Sequence, residues 1–513
     1  MEEAEPQAAP KPNENAARTA GRGGLAIAVA KVSFIVFGFA QQLILERVLG
    51  QGGYGQISRV LAIVGVLNNV VVATAIQGVS RAISTAPEED GPAAFARTLR
   101  IHAVIAVVLS TGFALAAGFI ANQVGAPHIA NTLRIVAAVV LLYGVYAPLV
   151  GSLNGRRRFL DQAGLDISYG LMRTILLGGG AFLFVRLGQN GSLGATLGFV
   201  GAAAFIVPIA LFRAGIGKPG PGGPSIKDYL GFLAPLAVGQ YFLNQLLQTD
   251  FMLLSRFAGQ AGRSSADTDA LMGVYRGVQL FAFLPYQMLM SVSFVLFPML
   301  ARARAERDEA AVKSYASAGI RVAFVITGLL AGVIASLAPQ VLRFAFKAEA
   351  IHEQGGPVLR VLALGMGAFA ILGISGTALT GLGRERISAF FNALAVALVA
   401  AGNMIFTPRA AFGPEMLMNT AIATSCAMVV MAVIAAVALY RDAHAFVSPL
   451  TLGRVALAVA GTVAFGSRLP WMGKLGVPVL AIAAAFVYLG VLVVSGELGK
   501  KDLLLVKKVL GKH

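Results

Sequence analysis

Residues 47–81 read RVLGQGGYGQISRVLAIVGVLNNVVVATAIQGVSR, and their pattern decides the fold. Residues 47–56, with Gly50, Gly52 and Gly53, separate an expected span over 25–46 from an apolar run over 57–80 that stops at Arg81. A run of that length crosses a hydrocarbon core about 30 Å thick. The arrangement then returns. Arg47-Val48-Leu49-Gly50-Gln51 precedes Gly53-Tyr54, and Arg256-Phe257-Ala258-Gly259-Gln260 precedes Gly273-Val274-Tyr275. Tyr54 lies 27 residues before Arg81, and Tyr275 lies 27 before Arg302. Later, Asn154-Gly155-Arg156-Arg157-Arg158-Phe159 is echoed by Leu382-Gly383-Arg384-Glu385-Arg386-Ile387. Three anchors in one order mark two halves of like orientation, as in transporters built from parallel repeats with substrate bound between them.

Composition agrees. Of 513 residues, 57% are hydrophobic and 13% charged, with a mean hydropathy of +0.76. Soluble domains carry about 25% charged residues, so this chain cannot cover a water-facing surface. Fourteen spans are expected, from 25–46 to 476–496, with small residues such as Gly178-Gly179-Gly180 allowing close helix approach. The expected fold is an all-α polytopic membrane protein: two pseudo-symmetric six-helix bundles around a cleft, plus two C-terminal helices. Its parts are a disordered tail (1–24), a first bundle (25–213), a linker (214–228), a second bundle (229–440), two extra helices (441–498) and a basic tail (499–513). The apolar stretch after the first tail lacks a clear cleavage site and reads as a retained helix. Cys426 has no partner cysteine, so disulfides say nothing of compartment.

The net charge of +17 does not argue for nucleic acid. Most Lys and Arg residues fall on one side of the expected topology, including Arg156, Arg157, Arg158, Arg384 and Arg386. The positive-inside rule puts that side, with both termini, in the cytoplasm.

Six ionisable residues fall inside expected spans: Lys31, Arg59, Arg173, Asp250, Arg276 and Arg321. A charge at mid-membrane costs at least about 2.5–3.5 kcal/mol, so such residues usually face a bundle interior or a wet cavity. Five cations to one acid suit an anionic ligand, phosphate above all, because arginine offers a planar fork of donors. Lys31, Arg59, Arg173 and Arg276 are the candidate ligands, with Lys31 and Gln42 on one stripe of the first span. Each has a plainer reading. Arg59 and Arg321 could snorkel to an interface, and Arg173 could pair with Asp166. Asp250 could couple an ion or proton, or pair with Arg256. In the seventh span, Tyr241, Asn244, Gln245 and Gln248 share a face. Arg156, Arg158, Arg384 and Arg386 stand at the expected cytoplasmic mouth, as topology signals, lipid contacts or captors of a phosphorylated substrate. No metal-ligand spacing, phosphate-binding loop or paired acidic motif supports an enzyme, and no cofactor is expected.

Residues 31–81, with Arg47, Leu49, Gly50, Tyr54 and Gly55, resemble the opening of bacterial polysaccharide flippases of the multidrug/oligosaccharidyl-lipid/polysaccharide superfamily. Asp250 to Arg256, Tyr275-Arg276, Leu284-Pro285 and Leu296-Phe297-Pro298 resemble their second half. The resemblance implies a V-shaped pair of bundles in the bacterial inner membrane. It implies export of an undecaprenyl-diphosphate-linked oligosaccharide for O-antigen or exopolysaccharide, beside a polymerase and glycosyltransferases, with coupling to a proton or sodium gradient or the membrane potential. Lipid II flippases are similar too. Their arginines in spans 1, 2 and 8 correspond to Lys31, Arg59 and Arg276, but Asn68-Asn69 stands where their second span carries a double arginine. The multidrug branch of the superfamily places acids in its bundles; this chain has one.

Overall fold

The computed structural model describes residues 14–444 and 446–499, and every regular element among them is helical. Residues 1–13 of the first expected tail and 500–513 of the last lie outside the described residues; helix already runs over 14–24. The first bundle comprises α1 (Glu14–Ser84), α2 (Gly91–Gln123), α3 (Ala130–Gly155), α4 (Phe159–Arg186) and α5 (Gly191–Ala214). The second opens with α6 (Ile226–Leu246), α7 (Thr249–Gln260), α8 (Ser265–Ala282), α9 (Leu284–Ala305) and α10 (Glu309–Ser336). The short α11 (Ala338–Ala345) and α12 (Glu349–Glu353) lead to α13 (Gly355–Gly381), α14 (Glu385–Phe406) and α15 (Pro414–Ala443). Helices α16 (Pro449–Gly466) and α17 (Gly476–Val494) follow.

Three breaks explain how these helices map onto the expected spans. Within α1, Gly50 adopts φ 68° and ψ 178°, a conformation open essentially to glycine alone, so one element carries two expected spans. Helices α6 and α7 meet at a 55° bend. Helices α8 and α9 meet at Phe283, where Pro285 has no N–H to continue the ladder. Among the described residues, eleven helices are long and apolar enough to cross a membrane, or twelve if α6 and α7 form one span. The expected fourteen is not reached by that measure: α1 counts once, and α8 is broken from α9 and carries Asp267, Asp269 and Arg276.

The repeat is visible in the packing. Helices α3 and α13 are the most buried spans, each at the centre of its bundle. Both end in the same turn. The Arg158 N–H donates to Leu153 C=O and the Arg384 N–H to Leu379 C=O, each at 2.8 Å. A left-handed residue precedes each, Arg157 and Gly383, the usual helix stop. The structural register therefore pairs Arg158 with Arg384, two positions from the register that aligns Gly155 with Gly383.

At the end carrying Gly50, the bundles meet tightly. A Cβ on Gly55 would lie 1.8 Å from Asp269 O, and one on Gly273 would lie 2.3 Å from Gln51 O, so the α1 and α8 backbones touch. The Gln51 amide donates to Ala270 O at 2.9 Å. Ser255 donates to Val124 O at 2.7 Å, and Glu46 accepts the Lys347 and Ala348 amides at 3.2 and 3.0 Å. At the end carrying Arg156, α6 leans on the first bundle. Tyr229 Oη meets His102 Nε2 at 2.8 Å, and the Arg81 guanidinium lies 4.1 Å over the Phe232 ring. Nearer the middle, Asn69 donates to Asn244 at 2.8 Å. Apart from that middle contact, those between the bundles lie towards the two ends and leave a space between.

Helices α16 and α17 are held against α10. Buried Glu497, just past α17, accepts from Arg321 at 2.8 Å, from Thr451 at 3.0 Å and from Arg454 at 3.3 Å. Burial alone would raise the Glu497 carboxyl, but these hydrogen bonds hold it below the usual carboxylate range. Tyr488 also donates to Val325 O at 3.0 Å. Arg321 is therefore a structural anchor.

Candidate substrate cavity

A cavity of about 280 Å³ lies between the bundles, walled by α1 and α4 on one side and α8 and α9 on the other. Arg173 and Arg276 enter it from opposite bundles, joined by Gln41, Gln42 and Gln287, with Phe34 and Phe39 among the apolar lining. Among the described residues, neither arginine has a carboxylate within ion-pair distance. Arg173 instead lies 4.7 Å over the Phe199 ring, and its buried Nε has no partner. Gln42 Oε1 is likewise buried and unpaired. Buried polar atoms normally find partners, so the donors and acceptor left here suit a ligand.

Arg276 is tied to Asp250 through one residue. Gln279 Oε1 accepts from Arg276 Nη1 at 3.3 Å, and Gln279 Nε2 donates to Asp250 Oδ1 at 3.1 Å. Asp250 also accepts from Tyr275 Oη at 2.7 Å and from the Phe251 amide at 2.7 Å. It makes no ion pair with Arg256 among the described residues. Asp250 is thus a saturated acid one glutamine behind the cavity wall.

The remaining candidates stand elsewhere. Arg59 does not line the cavity. It is 1% exposed in the seam, with Nη1 2.9 Å from Asp269 Oδ1, while His128 Nε2 lies 3.0 Å from Asp269 Oδ2. Lys31 is 59% exposed and lies 3.7 Å from Asp166, so Asp166 serves Lys31 rather than Arg173. Phe34, one turn further along α1, lines the cavity, which sets Lys31 beside it on the side of the Arg156 end. Arg156 and Arg158 donate to the Ala214 and Arg213 carbonyls, each at 2.9 Å, and so cap α5. Burial and the neighbouring Arg158 both lower the pKa of Arg156. Arg384 pairs with Asp442 at 2.9 Å, whereas Arg386 is exposed. Three of these four mouth arginines are thus engaged in holding turns.

Sequence reasoning missed Gln287, Gln279 and Asp269. Glutamine two residues after the Leu284-Pro285 break was the available signal for the first. Asp269 lies before the expected span at 271, so a search for charges inside apolar runs passes over it.

Two matched helical bundles enclose a cationic cavity, and the family models place the chain among the membrane transporters of the multidrug/oligosaccharidyl-lipid/polysaccharide superfamily. The chain belongs to the polysaccharide biosynthesis protein family, whose model matches residues 20–304; the MatE model matches 235–405. Among solved structures, the fold is similar to that of the lipid II flippase MurJ in an inward closed conformation. That match has a TM-score of 0.71 and 14% identity, covering 91% of this chain and 97% of the other. An inward-facing multidrug resistance MATE family transporter matches at TM-score 0.65 and 15% identity, over 81% of this chain and 98% of the other. A superfamily transporter from Pyrococcus furiosus matches at 0.60 and 14%, over 82% and 95%. No curated protein sequence matches the chain.

Proposed function

We propose that the protein flips an undecaprenyl-diphosphate-linked oligosaccharide from the cytoplasmic to the outer leaflet of the bacterial inner membrane, for surface polysaccharide such as O-antigen or exopolysaccharide. One observation carries the reading: Arg173 and Arg276 face each other across a cavity without a carboxylate between them. A diphosphate would satisfy both guanidinium groups and the free Arg173 Nε at once. A cationic drug would meet two like charges there, which disfavours a multidrug antiporter.

The positive-inside rule puts the Arg156 end in the cytoplasm, so the Gly50 end closes the outer face. The headgroup enters past Lys31, reaches the arginines, and leaves when the α1–α8 seam opens. The lipid tail stays in the bilayer; glycosyltransferases act before the flip and a polymerase after it. Asp250 is the natural place for a coupling proton or sodium ion, because Gln279 transmits a change in its charge to Arg276.

A lipid II flippase is the second reading, favoured by the similarity in fold to MurJ over most of both chains. Both readings need the arginines; they part on the glycan. Deleting the gene and restoring it with wild type, Arg173→Ala or Arg276→Ala decides. The proposal expects surface polysaccharide lost and lipid-linked oligosaccharide accumulated in both variants, with peptidoglycan intact. Wild-type polysaccharide from both normally inserted variants would overturn it, and loss of peptidoglycan would move the cargo to lipid II.

A further inference from the structure

Helix α9 separates the arginine cavity from a second chamber wholly inside the second bundle. Gln287 faces the first; Tyr286 and Leu289 line the second, whose walls come from α6, α9, α13 and α14. Its volume is about 250 Å³, and no charged residue lines it. Tyr286 and Phe369 stack with ring centroids 4.4 Å apart and planes at 32°. Ser293, Thr377, Ser388 and Asn392 add hydroxyl and amide groups. The side chains of Ser388 and Asn392 make no hydrogen bond to protein among the described residues. Glycine keeps the space open: a Cβ on Gly376 would come within 2.9 Å of Ser388 Oγ.

The chemistry of that lining is selective. An anion would find no cation and a cation no carboxylate. An acyl chain would leave the Asn392 amide and the Ser388 hydroxyl unpaired, which is costly; Ser293, Thr377 and Thr380 already donate within the protein. A neutral sugar fits all of it. Its C–H face lies against the electron-rich face of an aromatic ring, while its hydroxyls exchange hydrogen bonds with serine and asparagine.

We propose that this chamber is a saccharide subsite, which takes a neutral sugar of the lipid-linked glycan while the diphosphate sits against Arg173 and Arg276. The inference rests on the flippase reading and deepens it: the second bundle reads the glycan, and the arginines read the headgroup.

Native mass spectrometry of the full-length protein in detergent tests it, with undecaprenyl diphosphate and undecaprenyl diphosphate carrying a neutral tetrasaccharide, long enough to pass a helix about 10–12 Å across, as competing probes. Wild type is expected to favour the sugar-bearing lipid by about tenfold, the discrimination a small set of pocket contacts gives. Tyr286→Leu and Asn392→Ala should bring the ratio to about one, while Tyr286→Phe, which keeps the ring, should preserve most of it. A wild-type ratio near one, or an unchanged ratio in both Tyr286→Leu and Asn392→Ala, overturns the subsite. The arginines are scored separately. If Arg173→Ala/Arg276→Ala binds the bare lipid as wild type does, the flippase reading fails, whatever the sugar ratio.

Discussion

Arg59 Nη1 lies 2.9 Å from Asp269 Oδ1 across the seam between the bundles, and His128 holds the other oxygen of the same carboxylate at 3.0 Å. Arg59 and His128 come from the first bundle and Asp269 from the second, so one acid clasps two cation-capable groups. Removing the acid strands a guanidinium that is 1% exposed. Breaking a buried pair in this way costs about 3–5 kcal/mol. Asp269→Ala should therefore open the seam and lower Tm. A cysteine at Gln51, in a Cys426→Ala background, should gain labelling from the Gly50 end. Unchanged labelling would mean that the backbone contacts alone keep the seam shut.

Those backbone contacts make a separate prediction. A side chain at Gly55 must push Asp269 O away from a position 1.8 Å from its Cβ, and no rotamer avoids that clash. Gly55→Val should block closure more completely than Asp269→Ala does, leaving the protein inserted but held open at the Gly50 end. Export should fall at least tenfold, about 1.4 kcal/mol in the closing step, with labelling at Gln51→Cys at its highest.

Gly50 tests the break rather than the seam. Its φ of 68° and ψ of 178° suit glycine alone, yet nothing lies within 4 Å of an added Cβ. Gly50→Ala should therefore cost only backbone strain, about 1–3 kcal/mol. A modest drop in Tm with export retained is expected.

Much of the architecture was legible because it lies in one-dimensional signals. Long apolar runs fix the spans, and the Leu284-Pro285 pair and the spacing from Tyr54 to Arg81 survive as local sequence. The site was only half legible. Lys31, Arg59, Arg173 and Arg276 look alike in sequence, four cations within apolar runs. What separates them is which carboxylate lies opposite, and Asp166 and Asp269 come from other helices. The hydrophobic pattern registers that a charge is buried but not whom it meets. The same limit hid the mouth arginines: Arg156 and Arg158 read as a basic patch, yet their donors go to the last carbonyls of α5. Those carbonyls belong to a helix over fifty residues away.

Glu497 gives the fold a pH dependence with a definite sign. Its carboxyl titrates below the usual carboxylate range when α16 and α17 are docked. The stabilisation is therefore fully present above the unfolded value, about 4.3 for glutamate, and is lost as pH falls through the lower folded value. Acidification should loosen α16–α17 from α10 before the bundles unfold, read as proteolysis between Arg441 and Arg454. Glu497→Gln should give the same cleavage at neutral pH, losing about 1.5–3 kcal/mol from charged hydrogen bonds.

The two cavity arginines can be told apart from simple positive charge. Lysine at 276 keeps the charge but loses the fork, and with it the contact to Gln279 at 3.3 Å. Arg276→Lys should lower export about tenfold, and Arg276→Ala by more than a hundredfold, a gap of about 1.4 kcal/mol. Gln279→Leu keeps both charges and removes the link between Arg276 and Asp250. If Asp250 carries the coupling ion, that variant should still bind undecaprenyl diphosphate but no longer respond when the proton or sodium gradient is collapsed. Asp250→Asn should match it, because a neutral side chain has no charge state left to transmit. Export that stays gradient-dependent in both variants would place coupling elsewhere and leave Asp250 as a polar brace between α7 and α8, held by Tyr275 at 2.7 Å.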